Sequence, residues 1–221
     1  MPFRLPIFPL SVVLFPGASL PLHIFEPRYK RMLADCLQGD RRFGITPVNG
    51  TSELPDPGAV GCVAEVRVNQ ELPDGRSNII VLGGSRFVVS ALLDEPHPYV
   101  VGMVQSFEDE ADSDGPAEDV AELGELFGHY MAGLRELNDM MPEDAALAPD
   151  ALSLSFHVAS SIECDLGIKQ RLLAERSTSR RIKALIMLLP VLTSAVQSGL
   201  KVHRRAHTNG KGGAIPDSLA Q

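Results

Sequence analysis

Four side chains in this sequence have the types and spacing of a polar site. Glu26, Arg28 and Tyr29 lie within "PLHIFEPRYKRML", and Arg86 lies in "GGSRF". A carboxylate, two guanidinium groups and a phenol can bind a polar ligand beside an apolar groove. They can equally hold a chain reversal together, because carboxylate–guanidinium pairs are short, directional and geometrically specific. The simpler reading is a structural joint: Glu26, Pro27 and Arg28 with Arg86 as a further partner, and Tyr29 a core aromatic with a wet hydroxyl. General acid–base or nucleophilic catalysis needs a positioned acid, base or nucleophile, and these four residues do not supply that set.

Other routes to chemistry close as quickly. The only Gly-Lys pair, Gly210-Lys211, lacks the surrounding phosphate-cradling motif, and no G-x-G-x-x-G occurs. "GASLP" and "GGSRF" each lack the closing Gly of a nucleophile elbow. The six histidines, His23, His97, His129, His157, His203 and His207, show no clustered ligand spacing. With Gly115 at the sixth position of a calcium loop, Ala121 falls where a bidentate Glu is required. "ECD", Glu163 to Asp165, reads as a helix end. We therefore assign no catalytic, metal-ligating or cofactor-binding residue, and expect no cofactor and no enzyme.

The elements that position these residues fall into two halves with different periods. In "VGCVAEVRVNQEL" Cys62, Ala64, Val66 and Val68 share one face, with Glu65, Arg67 and Asn69 on the other. "PDG" at Pro73 to Gly75 supplies a hairpin turn before "RSNIIVLGG". "RFVVSALLD" and "YVVGMVQSF" read as two more strands, and no βαβ rhythm appears, so an antiparallel sheet or barrel is expected. One helix interrupts it. Pro27 suits a first helical position, Tyr29, Met32, Leu33, Cys36 and Leu37 recur on one face, and Gly39 ends it. Glu26 stands where a carboxylate favours the helix's positive end and could cap it.

The acidic segment Glu108 to Asp119 carries Gly115-Pro116 and no apolar period, so it marks a boundary. Beyond it the period is helical: Val120, Leu123, Phe127, Tyr130, Leu134 and Leu137, then Leu152, Phe156, Ala159 and Ile162. A short helix over "GIKQRLLAE" precedes a longer one capped by Ser177, Thr178 or Ser179, which Pro190 should kink or end. The expected fold class is α+β. Residues 1–108 form a mostly antiparallel β domain with one inserted helix and 109–117 an acidic linker. Residues 118–203 form an α-helical bundle and 204–221 a disordered tail.

Charge narrows the partners. The net charge of −8 divides into −1 over residues 1–105, −14 over 106–170 and +7 over 171–221. The acidic middle repels phosphates, which makes nucleic acid an unlikely partner. An RNA-binding alternative would use Arg28, Lys30, Arg31, Arg41 and Arg42, which more simply form the solvated face of a helix and its following turn. Three widely spaced cysteines fit a reducing cytoplasm. Pro6, Pro9 and Pro16 interrupt the apolar N-terminus, which argues against a signal peptide. The uncharged run Ala184 to Ser198 is short and polar for a bilayer span, so no membrane is expected.

The phrase "LPIFPLSVVLFPGASLPLHIFEPRYKRML" closely resembles the opening of the Lon N-terminal domain, the substrate-binding region of ATP-dependent Lon proteases, almost position by position from Leu5 to Tyr29. "GDRRFGI", "VGCVAEV", "LPDGRSNIIVLGGSRFVV" and "HPYVVGMV" extend the match, and "LSLSFHVASSI" with "KQRLLAERSTSRRIKALIMLL" resembles the family's closing helices. The resemblance covers about residues 3–195. It implies a PUA-like β-barrel followed by a helical bundle, and a non-catalytic role in binding unfolded or exposed polypeptide segments. No ATPase or protease module follows in the sequence, so a stand-alone member is expected, with a separate ATP-dependent protease as a conceivable partner. Phe25, Tyr29, Phe87, Met187 and Leu188 are the candidate polypeptide contacts.

Overall fold

The computed structural model describes residues 1–48, 54–111, 115–138, 140 and 150–209, with the main chain alone for 202–209. Six strands form one mixed sheet: β1 (Phe3–Leu10), β2 (Ser19–Ile24), β3 (Arg42–Pro47), β4 (Val60–Glu71), β5 (Ser77–Leu93) and β6 (Val100–Ser106). The strand order is β2-β5-β4-β3-β1-β6, and β5 also pairs with β6, so the pairings return to β5. Helix α1 (Pro27–Gln38) lies between β2 and β3; α2 (Ala117–Leu137), α3 (Ala151–Ser161), α4 (Leu166–Ala174) and α5 (Thr178–Asn209) follow the sheet.

Two strand expectations change. β1 and β3 run parallel, Ile7 opposite Gly44 and Phe8 opposite Ile45, whereas the other pairings are antiparallel. The crossover passes through both β2 and α1, so it lacks the simple strand–helix–strand rhythm that announces a parallel pair. "RSNIIVLGG" and "RFVVSALLD" are not two strands but one, the 17-residue β5. It continues through Gly83, where a Cβ would stand 2.0 Å from the Phe15 carbonyl oxygen, so only glycine lets the 15–18 loop approach. The prolines of β1 are also explained. Pro6 lies where β1 faces β6, and Pro9 where it faces β3, so each stands where β1 has one partner strand.

Consecutive strand residues serve two cores. Phe8, Phe43, Cys62, Ala64 and Val66 pack with Tyr29, Met32, Leu33 and Cys36 of α1. Ile7, Val63, Phe87, Val89 and Val104 pack on the opposite face. The third core joins Phe15 and Val60 to Leu123, Phe127, Tyr130, Phe156, Ile162, Leu185 and Leu189 of the helices. α3 and its C-cap bury Phe156, Ala159 and Ile162 of the expected stripe, with Leu154 and Val158 added to it, while Leu152 is exposed.

The caps follow their chemistry. Asp150 accepts from the Ser153 N–H at 2.8 Å, Asp165 from the Gly167 N–H at 2.8 Å and the Ser177 hydroxyl from the Arg180 N–H at 3.2 Å. α5 neither stops at Pro190 nor at residue 203, but runs to Asn209. Pro190 is exposed, so the helix carbonyl it leaves without a donor can face water, and Lys and Arg are good helix formers that suit a helix's C-terminal end. The remainder of the expected tail, 210–221, and residues 112–114 of the expected linker lie outside the described residues. α5 also exceeds the uncharged run read from the sequence: the 24 residues Thr178–Lys201 suffice by length and composition to cross a bilayer. Here Ile182, Leu185 and Leu189 pack into the helical core and Arg181 is fully buried in a charged cluster.

Candidate functional site

The strand-to-helix joint forms where expected, with altered partners. Pro27 opens α1 and Glu26 holds the N-cap position, but its side chain makes no cap hydrogen bond. Instead Glu26 accepts from Arg28 Nε at 2.9 Å, both side chains being about 40% exposed. Arg28 also lies over the Tyr29 ring, 4.7 Å from its centroid. Tyr29 is buried against Phe8 with ring centroids 4.0 Å apart, so its ring belongs to the core rather than to a contact surface. Phe87 is fully buried as well. Cβ atoms placed on Gly44 and Gly61 would each stand 2.5 Å from its ring, so two glycines make the slot it fills. Of the aromatic candidates Phe25 alone is exposed, at 57%, stacked on His23 with centroids 6.0 Å apart.

Arg86 belongs to a different joint. Its Nη2 donates to Asp109 at 2.6 Å and its Nη1 to the carbonyls of Leu173 and Glu175 at 2.6 and 2.7 Å. Arg181 meets the same carboxylate at 3.3 and 3.1 Å, and donates to Ser155, Glu175 and Thr178 at 2.8, 2.7 and 3.1 Å. All five of its N–H groups are thus engaged. The Arg181 guanidinium also lies 3.9 Å from the centroid of Phe156. Burial pulls Arg86 below its ordinary pKa; Asp109 opposes this and Arg181 adds to it. This cluster pins β5 and the chain leaving β6 to α3, α4 and α5. In sequence Asp109 belongs to the expected acidic linker, and the structure instead makes it the centre of this cluster with Arg181. The legible signal was Arg181 four residues before Leu185, which places it on the inward face of α5.

Met187 and Leu188 fall in a groove of about 490 Å³ between α4 and α5, lined also by Ile168, Leu172 and Val191. Met187 is 77% and Val191 65% exposed, an unusual display of large apolar side chains on one helix face. Arg171, Glu175 and Arg180 border it. Arg180 is held by Glu175 at 2.9 Å and Glu110 at 3.4 Å. Val191 lies off the buried Ile182, Leu185 and Leu189 stripe of α5, so the apolar spacing does not single it out.

A larger cleft of about 740 Å³ separates the 11–20 segment from α3 and α4, and contains His157, Ser160, Ser161, Cys164 and Lys169. These groups do not form a nucleophile and its base. Ser160 and Ser161 each donate to the His157 main-chain carbonyl at 2.8 Å, and the His157 ring meets Phe127 edge-on at 5.5 Å. Burial raises the Cys164 thiol, with Lys169 acting against it, so the reactive thiolate is disfavoured. Among the described residues no group of three His, Cys, Asp or Glu could hold a metal. The arginines of the RNA-binding alternative are mostly neutralised: Arg28 by Glu26, Arg31 by Asp35 at 3.1 Å, and Arg42 by Asp40 at 2.7 Å.

Comparison with known proteins agrees with this fold. The family model of the ATP-dependent protease La (LON) substrate-binding domain matches residues 4–190. The Lon protease of Cytophaga hutchinsonii is 28% identical over 217 residues, covering 94% of this chain and 26% of that protein. Lon protease 1 of Hydrogenovibrio crunogenus is 25% identical over 212 residues, 92% of this chain and 26% of that protein. The chain thus spans about a quarter of the length of these curated relatives. Among solved structures, a Lon N-terminal domain protein from Xanthomonas campestris superposes with a TM-score of 0.65 at 25% identity, over 84% of this chain and 98% of that one. The N-terminal domain of Mycobacterium avium complex Lon protease gives 0.62 at 17% identity, over 87% and 98%. A mixed sheet with an inserted helix and four following helices, matched along nearly its whole length, makes this chain a member of the Lon substrate-binding domain family.

Proposed function

We propose that this chain is a non-catalytic module that binds unfolded or exposed polypeptide segments, and that it serves an ATP-dependent protease in the cytoplasm. We read its ring of strand pairings as a PUA-like barrel and its last four helices as a bundle against it. The observation that carries the reading is the α4–α5 groove, where Met187 and Val191 stand exposed above Leu172 and Leu188. Methionine is unbranched and polarizable, and adapts to apolar side chains of different shape, which suits recognition without a fixed sequence. At the rim Arg180 is paired with Glu175 and Glu110, so the apolar floor carries most of the lining, and the three cysteines are unpaired, which suits a reducing compartment.

Fluorescence anisotropy with a labelled, permanently unfolded polypeptide tests the reading. Saturable binding is expected, weakened several-fold by Met187→Glu with little change in thermal stability, because that side chain is solvent-facing. Binding no tighter than that of a charge-matched folded control would refute it.

A further inference from the structure

Resting on that polypeptide-binding reading, we propose that the outer edge of β2 takes up an extended polypeptide segment as an added strand. Among the described residues β2 pairs with β5 alone. Which of its main-chain groups face outward follows from the register. The Gly83 N–H donates to the Ala18 carbonyl at 2.8 Å, and Ser19 stands opposite Leu82 in the next pair. Hydrogen-bonded and non-bonded pairs alternate along an antiparallel ladder. Leu20, Leu22 and Ile24 therefore bond to β5, while Ser19, Pro21 and His23 turn their main-chain groups to the free edge. That edge offers two N–H donors, from Ser19 and His23, and three carbonyl acceptors. An extended chain is the ligand that matches such a ladder, and it does so without regard to its own sequence.

The side chains beside the edge define the class of segment. Pro21, Ile80 and Val68 stand in one cross-strand row on the outer face, all exposed. The next row is His23, Asn78 and Gln70, with His23 Nδ1 2.7 Å from Asn78 Oδ1. A strand added beside β2 extends both rows. An apolar residue beside Pro21 and a polar one beside His23 would each continue its row. The matching segment therefore carries an apolar and a polar residue two positions apart on its outer face and is at least five residues long. The edge also runs directly into the cleft of about 740 Å³, which includes Ser19 and Leu20 in its lining, so the segment can continue along it.

Pro21 selects against a second copy as the occupant. Two β2 edges paired antiparallel about a twofold through Pro21 would oppose two prolines, and neither could donate. A six-residue strand is also only roughly 20 Å long, so such a pairing falls well short of the about 1,000 Å² that a stable interface buries.

Hydrogen exchange on the full chain provides the test. The probe is a soluble, fluorescein-labelled nonapeptide built on a Val-Val-Thr-Thr repeat, which puts valine and threonine in turn on each face, with lysines at its end. With peptide bound, the Ser19 and His23 amides should slow about tenfold or more, while those of Leu20, Leu22 and Ile24 are protected throughout. His23→Pro, which removes one outward donor, should weaken binding about tenfold, equivalent to 1.4 kcal/mol. N-methylating the peptide's alternate amides should weaken it comparably with the protein untouched. Peptide bound by anisotropy without slowed Ser19 and His23 amides would overturn the edge assignment, as would loss on Met187→Glu but not on His23→Pro; either result leaves the polypeptide-binding reading standing. A concentration-dependent dimer abolished by His23→Pro would overturn the choice of occupant. Failure to bind either this peptide or an unfolded protein would remove the broader reading as well.

Discussion

Two joints hold this chain in shape, and they differ in depth rather than in chemistry. At the first, Glu26 and Arg28 pair at 2.9 Å with both side chains about 40% exposed. At the second, Asp109 is 14% exposed between Arg86 at 3% and Arg181 at 0%. Water screens the first pair, so little changes when it is broken. The second has two cations gathered on one carboxylate, and removing that carboxylate strands two desolvated charges. The comparison teaches that a charged motif announces a joint, but burial sets what the joint contributes.

The largest test of this contrast is Asp109→Ala, which should cost about 3–5 kcal/mol in urea denaturation by exposing two buried cations to each other. Equal stability to the parent chain would show that water reaches the cluster. Asp150→Ala, which removes the cap of α3, should cost about 1 kcal/mol, with Asp150→Asn restoring most of it because Asn also caps. Glu26→Gln should change stability by less than about 1 kcal/mol, the range of exposed pairs. A loss as large as that of Asp109→Ala would erase the distinction between the joints.

Acid should act on the helical side through its depressed carboxylates. Hydrogen bonds from the N–H and hydroxyl of Ser153 hold Asp150 below its ordinary value of 3.8. Burial would raise Glu175, but bonds from Arg180 and the Ser177 N–H outweigh it and hold Glu175 below 4.5. A folded pKa below the unfolded one stabilises at pH values above the unfolded pKa, and that stability is lost as pH falls through the folded pKa. Stability should therefore hold to about pH 5 and decline below, less steeply in Asp150→Asn because Asn does not titrate. The smallest effect is chemical. Burial pushes the Cys36 and Cys62 thiols up to about 12, so at pH 8 an alkylating reagent should label the half-buried Cys164 first. Equal labelling of all three would show that the sheet opens readily.

Much of the fold was legible because local rules decided it. Pro27, the Tyr29–Met32–Leu33–Cys36 face and Gly39 bound α1 as read, since a helix start, stripe and stop are all short-range signals. The Pro73–Gly75 turn and the apolar stripe of α2 through Leu123, Phe127 and Tyr130 were legible for the same reason. The union of two apparent strands into β5 was not, because Gly83 reads locally as a turn signal and only the approach of Phe15 explains it. The candidate contacts divided likewise. Met187 was exposed and Phe87 was enclosed between Gly44 and Gly61, a difference that no spacing within either segment records.

By itself, then, the amino-acid order determined element types, caps, the acidic boundary and the family likeness, since these depend on neighbours within a few residues. Only the tertiary structure decided that Arg86 answers Asp109 rather than Glu26, that β1 runs beside β3, and that the β2 edge and the α4–α5 groove stay open. Those outcomes rest on contacts between residues far apart in the chain, where desolvation and close packing act on neighbours that a linear reading does not bring together.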